Sequence, residues 1–315
     1  MTSNFSCFHA AGMLPVALLN SFLMKVGFTM CIQIRAYALA AVLRKLAPFV
    51  GTKKACKRRP ILGFVRVGMN CDITATDGGD CYARLDGDYI PWDAEDWGGR
   101  TPFINAFLIP LREMVAWLTN VNKGALVTLW VENGDVLHVR ADQSWVQFPI
   151  LSADDFPAYP RLQWQNVADF YAGCLPAAIK ATSHAVDPES TRFALTAVAL
   201  DITRADRHAV ASDGKRMITV DLSPRTMVAY TPDNEPSVEG VYLIDAKYAS
   251  GLCDILGDLD VLMSRNIGDA DASLVNFFCA EGVDVIIRLT AGRYPQWREV
   301  MRMAPAVSYR ATVDA

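Results

Sequence analysis

The stretch HAVASDGKRMITVDL, His208 to Leu222, alternates apolar and polar residues on both sides of an Asp213-Gly214 pair. A second stretch, ATDGGDCYARL, Ala75 to Leu85, repeats the arrangement, with Asp77 lying 136 positions before Asp213. An Asp-Gly between two alternating runs marks a tight hairpin, because the turn needs a residue at positive φ and glycine adopts it without strain. Both stretches are therefore expected to be β-hairpins, and two hairpins at a fixed offset call for a search for an internal repeat.

The repeat extends outward in both directions. In the first block, AYALAAVLRKLAPFV reads as a helix with Leu39, Val42, Leu43 and Leu46 on one face. The basic connection GTKKACKRRP, the strand ILGFVRV and the hairpin follow, then the helix PLREMVAWLTNV and a strand pair ALVTLWVENGDVLHVRA hinged on Asn133-Gly134. In the second block the helix is VADFYAGCLPAAIKATSH, with Tyr171, Cys174, Leu175, Ala178 and Ile179 on one face. The strand DPESTRFALTAVALDI, the second hairpin and the helix DAKYASGLCDILGDL come next, the last capped by Asp245. Leu62 to Leu195 is 133 positions and Pro157 to Pro295 is 138, so the landmarks keep order and spacing. The expectation is an α+β chain of duplicated domains, 30–160 and 161–304.

The chain has 315 residues, 52% hydrophobic and 20% charged, with net charge -4, enough for two domains with cores of their own. Mild acidity excludes a wholly basic coat and leaves room for a local basic patch. Such a patch is visible. No acidic residue falls between Met30 and Asn70, where Arg44, Lys45, Lys53, Lys54, Lys57, Arg58 and Arg59 lie. Acid follows at Asp77, Asp80, Asp86, Asp88, Asp93, Glu95 and Asp96, and DGDYIPWDAEDWGG reads as an outer solvated loop, since no glutamate closes a calcium loop there.

Eight cysteines are scattered with no CxxC pair, so free thiols and a cytoplasmic setting are expected, with no metal and no cofactor. No GxSxG, HExxH or GxxxxGK[ST] occurs. Of the four histidines, His9, His138, His184 and His208, His138 and His208 fall in strand patterns, where a satisfied or surface histidine is usual. An enzyme is not expected. The segment MLPVALLNSFLMKVGFTM is apolar but broken by Asn20, Ser21 and Lys25, which argues against a membrane span. Residues 1–29 are read as a non-native extension, and 305–315 as a C-terminal strand or the start of a truncated third domain.

At this point the motifs RRPILGFVRV, TATDGG and SADDFPAYP of the first block resemble a known family, as do STRFALTAVAL, VASDGKRM and GRYPQWREVM of the second. The family is the DNA polymerase III beta subunit, the bacterial sliding clamp. Ser212 stands where the family has threonine, Lys215 where it has histidine and Met217 where it has leucine. Tyr294 replaces phenylalanine and Trp297 replaces tyrosine. The resemblance implies a DNA clamp fold, with antiparallel sheets outside and paired helices lining a central hole. It implies a processivity factor that encircles double-stranded DNA, is opened by a clamp loader, and tethers the polymerase III catalytic subunit and other clamp-binding-motif proteins. Lys180, Lys247 and Arg192 would join the basic residues of the first block at DNA. A partner-peptide groove would use Leu195, Ser212, Gly214, Lys215, Arg216, Met217, Pro295 and Val300. The family's ring has six domains from chains of three, and three chains of two would match that count as a homo-oligomer. The alternatives are a clamp-related β-rich scaffold that closes no ring and, further off, a hydrolase.

Overall fold

The computed structural model describes residues 32–92, 105–132, 134–203, 206–222, 239–268 and 273–303. Two runs of elements follow the same order. The first is β1 (Ile32–Arg35), α1 (Ala36–Leu46), α2 (Lys53–Arg58), β2 (Phe64–Val67), β3 (Ile73–Thr76), β4 (Cys81–Leu85), β5 (Phe107–Pro110), α3 (Leu111–Leu118), β6 (Leu126–Glu132), β7 (Val136–Ala141) and β8 (Ser144–Pro149). The second is β9 (Trp164–Phe170), α4 (Cys174–Ser183), β10 (Ala197–Ile202), β11 (Arg207–Ser212), β12 (Met217–Asp221), β13 (Gly240–Asp245), α5 (Ala246–Leu256), β14 (Val261–Asn266), β15 (Leu274–Cys279) and β16 (Val283–Arg288). A last helix, α6 (Trp297–Met303), follows. Apart from α2 and α6, each element of one run has a counterpart in the other.

The sheets repeat as well. Strand order β5-β2-β3-β4 in the first run matches β13-β10-β11-β12 in the second, and β1-β6-β7-β8 matches β9-β14-β15-β16. All pairings are antiparallel. The two runs are joined by β4 and β16, which pair Leu85 with Val283 and Cys81 with Ile287, so that eight strands form one continuous sheet.

Helices pack in pairs, α1 with α3 and α4 with α5, and α1 also meets α5 across the joint. The face of α1 expected from the sequence, Leu39, Val42, Leu43 and Leu46, is buried. In α5, Gly251 lets the helix approach Pro48 so closely that a Cβ would lie 2.4 Å from the proline ring. Tyr248 stacks on Phe49 there, ring centroids 6.4 Å apart.

Four readings of the sequence need correction. Residues 167–170, expected to begin a helix, belong to β9, because pairing with β14 outweighs the helical spacing. The helix starts only after Gly173, at φ 75, turns the chain, and Tyr171 is exposed rather than on its buried face. The basic connection after Gly51 contains α2, capped by the Thr52 hydroxyl, which accepts from the Ala55 amide at 3.3 Å. The strands expected at ILGFVRV and at DPESTRFALTAVALDI start late, each preceded by a short 3-10 turn, Pro60–Gly63 and Phe193–Thr196. Asn133, residues 1–29, the acidic stretch from Asp93 through Glu95 and Asp96, and residues 305–315 lie outside the described residues.

Candidate partner groove and basic helix surface

The second hairpin is built from its own side chains. The Ser212 hydroxyl accepts from the Gly214 amide at 3.1 Å and donates to the Arg216 carbonyl at 2.8 Å. One Asp213 carboxylate oxygen accepts from the Lys215 and Arg216 amides, each at 2.9 Å. These two amides hold the Asp213 carboxyl down at about 2. Gly214 takes φ 85, where only glycine sits easily, and its open side faces Leu195 at 3.9 Å.

A small second core lies behind this turn. Ala194, Ala197, Ala199, Val210, Leu243, Tyr294 and Trp297 are buried together, and Met217 packs against them. Trp297 is fixed by its indole N–H, which donates to the buried Asp201 carboxylate at 2.7 Å, and Arg298 bonds the same carboxylate. A charge buried in a strand needs such partners. The pair anchors α6 against β10. His208 meets the Trp297 ring edge-on.

Of the expected groove residues, Met217 packs against this core, and Gly214 lies with its open side 3.9 Å from the buried Leu195 side chain. Ser212 is buried and serves as a turn-builder, so its side chain is occupied. Lys215 is exposed, and Arg216 lies along Asp213 at 2.9 Å while donating to the His184 carbonyl. Pro295 and Val300 are exposed on the turn and helix that Trp297 anchors. Four residues of this surface escaped the sequence reading. Phe193, Met301 and Met303 are exposed apolar side chains beside it in sequence, and Asp201 is the buried carboxylate that holds α6. The signal for Asp201 was legible, a lone acid in the otherwise apolar AVALDI of β10.

The basic residues are spread over the helices and the turns beside them. Arg44 on α1, Lys53, Lys54, Lys57 and Arg58 on α2, Arg59 at its C-terminus and Lys180 on α4 are all exposed, as is Arg192 before its 3-10 turn. Two others are engaged. Lys45 donates to the Tyr89 hydroxyl at 2.9 Å. Lys247 reaches Asp80 at 3.4 Å across the joint between the two runs.

The cysteines described are all free. Burial pushes the Cys71 and Cys253 thiols up to about 11 and Cys279 to about 12, so these three stay protonated at neutral pH. His138 is engaged by Glu132 at 2.8 Å and stacked on Trp130. Among the described residues no His, Cys, Asp and Glu cluster is arranged to hold a metal, and no helix is long and apolar enough to cross a membrane.

No protein-family model matches the chain. It is similar to curated proteins named beta sliding clamp, 23% identical over 195 residues in Chlamydia muridarum and 26% over 189 residues in Chlamydia trachomatis. These matches cover 62% and 60% of this chain and 49% and 41% of the relatives, so the chain spans half or less of their length. Solved structures agree on the architecture. A putative DNA polymerase III beta subunit from Eubacterium rectale superposes with TM-score 0.67 at 13% identity, covering 87% of this chain and 68% of that one. The DNA polymerase sliding clamp of Bacillus subtilis gives 0.66 at 19%, covering 89% and 69%. A sliding clamp from Pseudomonas aeruginosa, solved with griselimycin bound, gives 0.67 at 19%, covering 86% and 68%.

Proposed function

We propose that this chain, which has the fold of the bacterial sliding clamps and resembles them in sequence, acts as a sliding clamp itself. It is non-catalytic, encircles duplex DNA, and keeps a polymerase and other partner proteins near the template. The mechanism is topological. A closed ring leaves DNA only by sliding off an end or by opening, so a tethered enzyme stays at high effective concentration.

The observation that carries the reading is the exposed basic set on α1, α2 and α4 within a duplicated clamp fold, in a chain whose net charge is -4. Lysine and arginine on helices meet phosphates without reading bases, which permits sliding. Lys180 and Arg192 extend this surface into the second run, whereas Lys247 divides its charge between Asp80 and any phosphate. The apolar floor of Leu195 and Met217, with Lys215 and Arg216 at its rim, supports a groove for a short peptide carrying apolar anchors and an acidic or polar group. A partner ATPase that opens the ring belongs to the same reading.

The test is duplex binding by fluorescence anisotropy from low to moderate salt. Affinity should fall linearly on a log–log plot. A variant with Lys53, Lys54, Lys57 and Arg58 changed to glutamine should show a slope shallower by about one for each phosphate it no longer neutralises. Association that ignores salt, or none at all, would overturn the reading and leave a scaffold without DNA.

A further inference from the structure

The two parts of the candidate groove are held in place differently. Gly214 and Met217 grow out of the paired strands β11 and β12. Pro295 and Val300 are carried by α6 and the turn before it, which belong to no sheet. Of the seven residues of α6, Trp297 is the one that is buried. Its indole N–H donates to an Asp201 carboxylate oxygen at 2.7 Å, and Arg298 bonds the same oxygen. The Arg298 guanidinium also lies over the Trp297 ring, 4.5 Å from its centroid. We infer that Asp201 is the positioning residue of the groove, docking α6 so that Pro295 and Val300 stand ready before a partner peptide arrives. The inference rests on the groove of the proposed function and adds the residue that decides when that groove exists.

The first run supplies the contrast. The counterpart of Pro295 is Pro157, which puts Tyr159 in the place of Trp297 and Pro160 in the place of Arg298. Tyr159 meets the Tyr82 ring edge-on, 5.8 Å between centroids, and the chain runs on into β9 with no α-helix between. The spacing of Leu62 and Leu195 makes Gly68 the counterpart of Asp201. The register agrees, since Arg66 pairs with Thr74 as Ala199 pairs with Val210. Glycine has no carboxylate to offer. The docked helix, its anchoring carboxylate and the open hairpin therefore occur together in the second run, and the described residues of the first run have none of them.

A carboxylate inside the apolar strand AVALDI is costly unless it is partnered, and what it holds accounts for its presence. With one buried side chain, α6 gains little from apolar burial, so the two bonds to a charged acceptor decide between a docked and an undocked helix. A peptide that needs both parts of the groove binds the docked fraction, and its apparent affinity falls in proportion to that fraction. Undocking therefore slows association. The complex, once formed, is the same, and its dissociation does not change. Loss of a direct contact to the peptide acts the other way, through faster dissociation.

Two measurements on the full chain test the inference, with Asp201→Asn and with Trp297→Phe, which keeps an aromatic ring and removes the N–H. In hydrogen exchange read by mass spectrometry, residues 297–303 should exchange about tenfold faster in both variants, while β10, β11 and α5 stay as they were. Unchanged exchange over 297–303 would overturn the inference. So would equal acceleration throughout the chain, because Asp201 would then serve the sheet and not the helix. In stopped-flow anisotropy, the probe is a fluorescein-labelled hexapeptide with leucines on either side of an aspartate. Its association should slow about tenfold in both variants, with dissociation the same within about twofold. Faster dissociation at an unchanged association rate would overturn the positioning role. If the unaltered chain does not bind this peptide, the groove reading falls, and the exchange measurement alone decides whether Asp201 docks α6.

Discussion

The two Asp-Gly hairpins share their internal wiring and differ in what surrounds them. In the first, the Thr76 hydroxyl accepts from the Gly78 amide and donates to the Cys81 carbonyl, and one Asp77 oxygen accepts from the Gly79, Asp80 and Cys81 amides. Ser212 and Asp213 do the same work in the second. The first turn is tied to the second run. Tyr248 donates to the other Asp77 oxygen at 2.5 Å, and Lys247 and Arg288 both reach Asp80. Burial, with Asp77 and Cys81 close by, pushes the Tyr248 phenol well above its ordinary range and keeps it a donor. The second turn stands open, with Lys215 and Arg216 at the surface. One local motif thus becomes a fastener between two runs in one place and an accessible rim in the other. The neighbours make the difference.

The largest contrast should come from the glycines. A Cβ at Gly78, which has φ 95, would lie 2.9 Å from the Leu62 side chain, while at Gly214 the nearest atom is 3.9 Å away. Gly78→Ala should cost about 3 kcal/mol, combining the left-handed backbone with overpacking, against about 1 kcal/mol for Gly214→Ala. Urea unfolding of the two variants measures the gap, and equal losses would erase the distinction.

Next in size is Tyr248→Phe. It leaves a carboxylate oxygen of Asp77 without its donor at the joint and should cost about 2 kcal/mol in the same assay. Arg216→Ala, at the open turn, should leave the urea midpoint nearly unchanged, because its ion pair with Asp213 is exposed. A larger loss would mean that the second hairpin is also a structural fastener.

The smallest effect is one of acidity. The Asp213 carboxyl is held at about 2, below its ordinary 3.8. Its support of the turn is therefore complete above the ordinary value and is lost as pH falls through about 2. Amide exchange at Lys215 and Arg216 should stay protected at pH 4 and quicken near pH 2. In Asp213→Asn it should show no such step.

Local patterns were the legible part of this fold. Helices α1, α3 and α5 announce themselves through their apolar spacing, and the Asp245 cap accepts from the Lys247 amide as expected. β9 did not, since VADF has the spacing of a helix and becomes a strand only by pairing with β14. The joint of β4 with β16 was equally hidden. Alternation shows that a strand has an inner face and says nothing about which distant strand lies beside it. At the candidate groove, the hairpin residues and Leu195 could be read from sequence, whereas the tie of Trp297 and Arg298 to Asp201 could not. That tie spans 96 positions between Asp201 and Trp297, and no local rule links them.

The same joint sets a timetable for biosynthesis. Leu85 waits for Val283, 198 residues later in the chain. At about 5–20 residues per second, a ribosome needs roughly 10–40 s to deliver that partner. Throughout that interval β3 and β4 can form their hairpin, but the outer margin of β4 presents open amides and carbonyls to the cell. Pairings of such long sequence separation are slow to form and prone to stray association. Escort of the nascent chain therefore matters most in the window before residue 287 emerges, and a ribosome stalled there would hold a half-sealed and adhesive product.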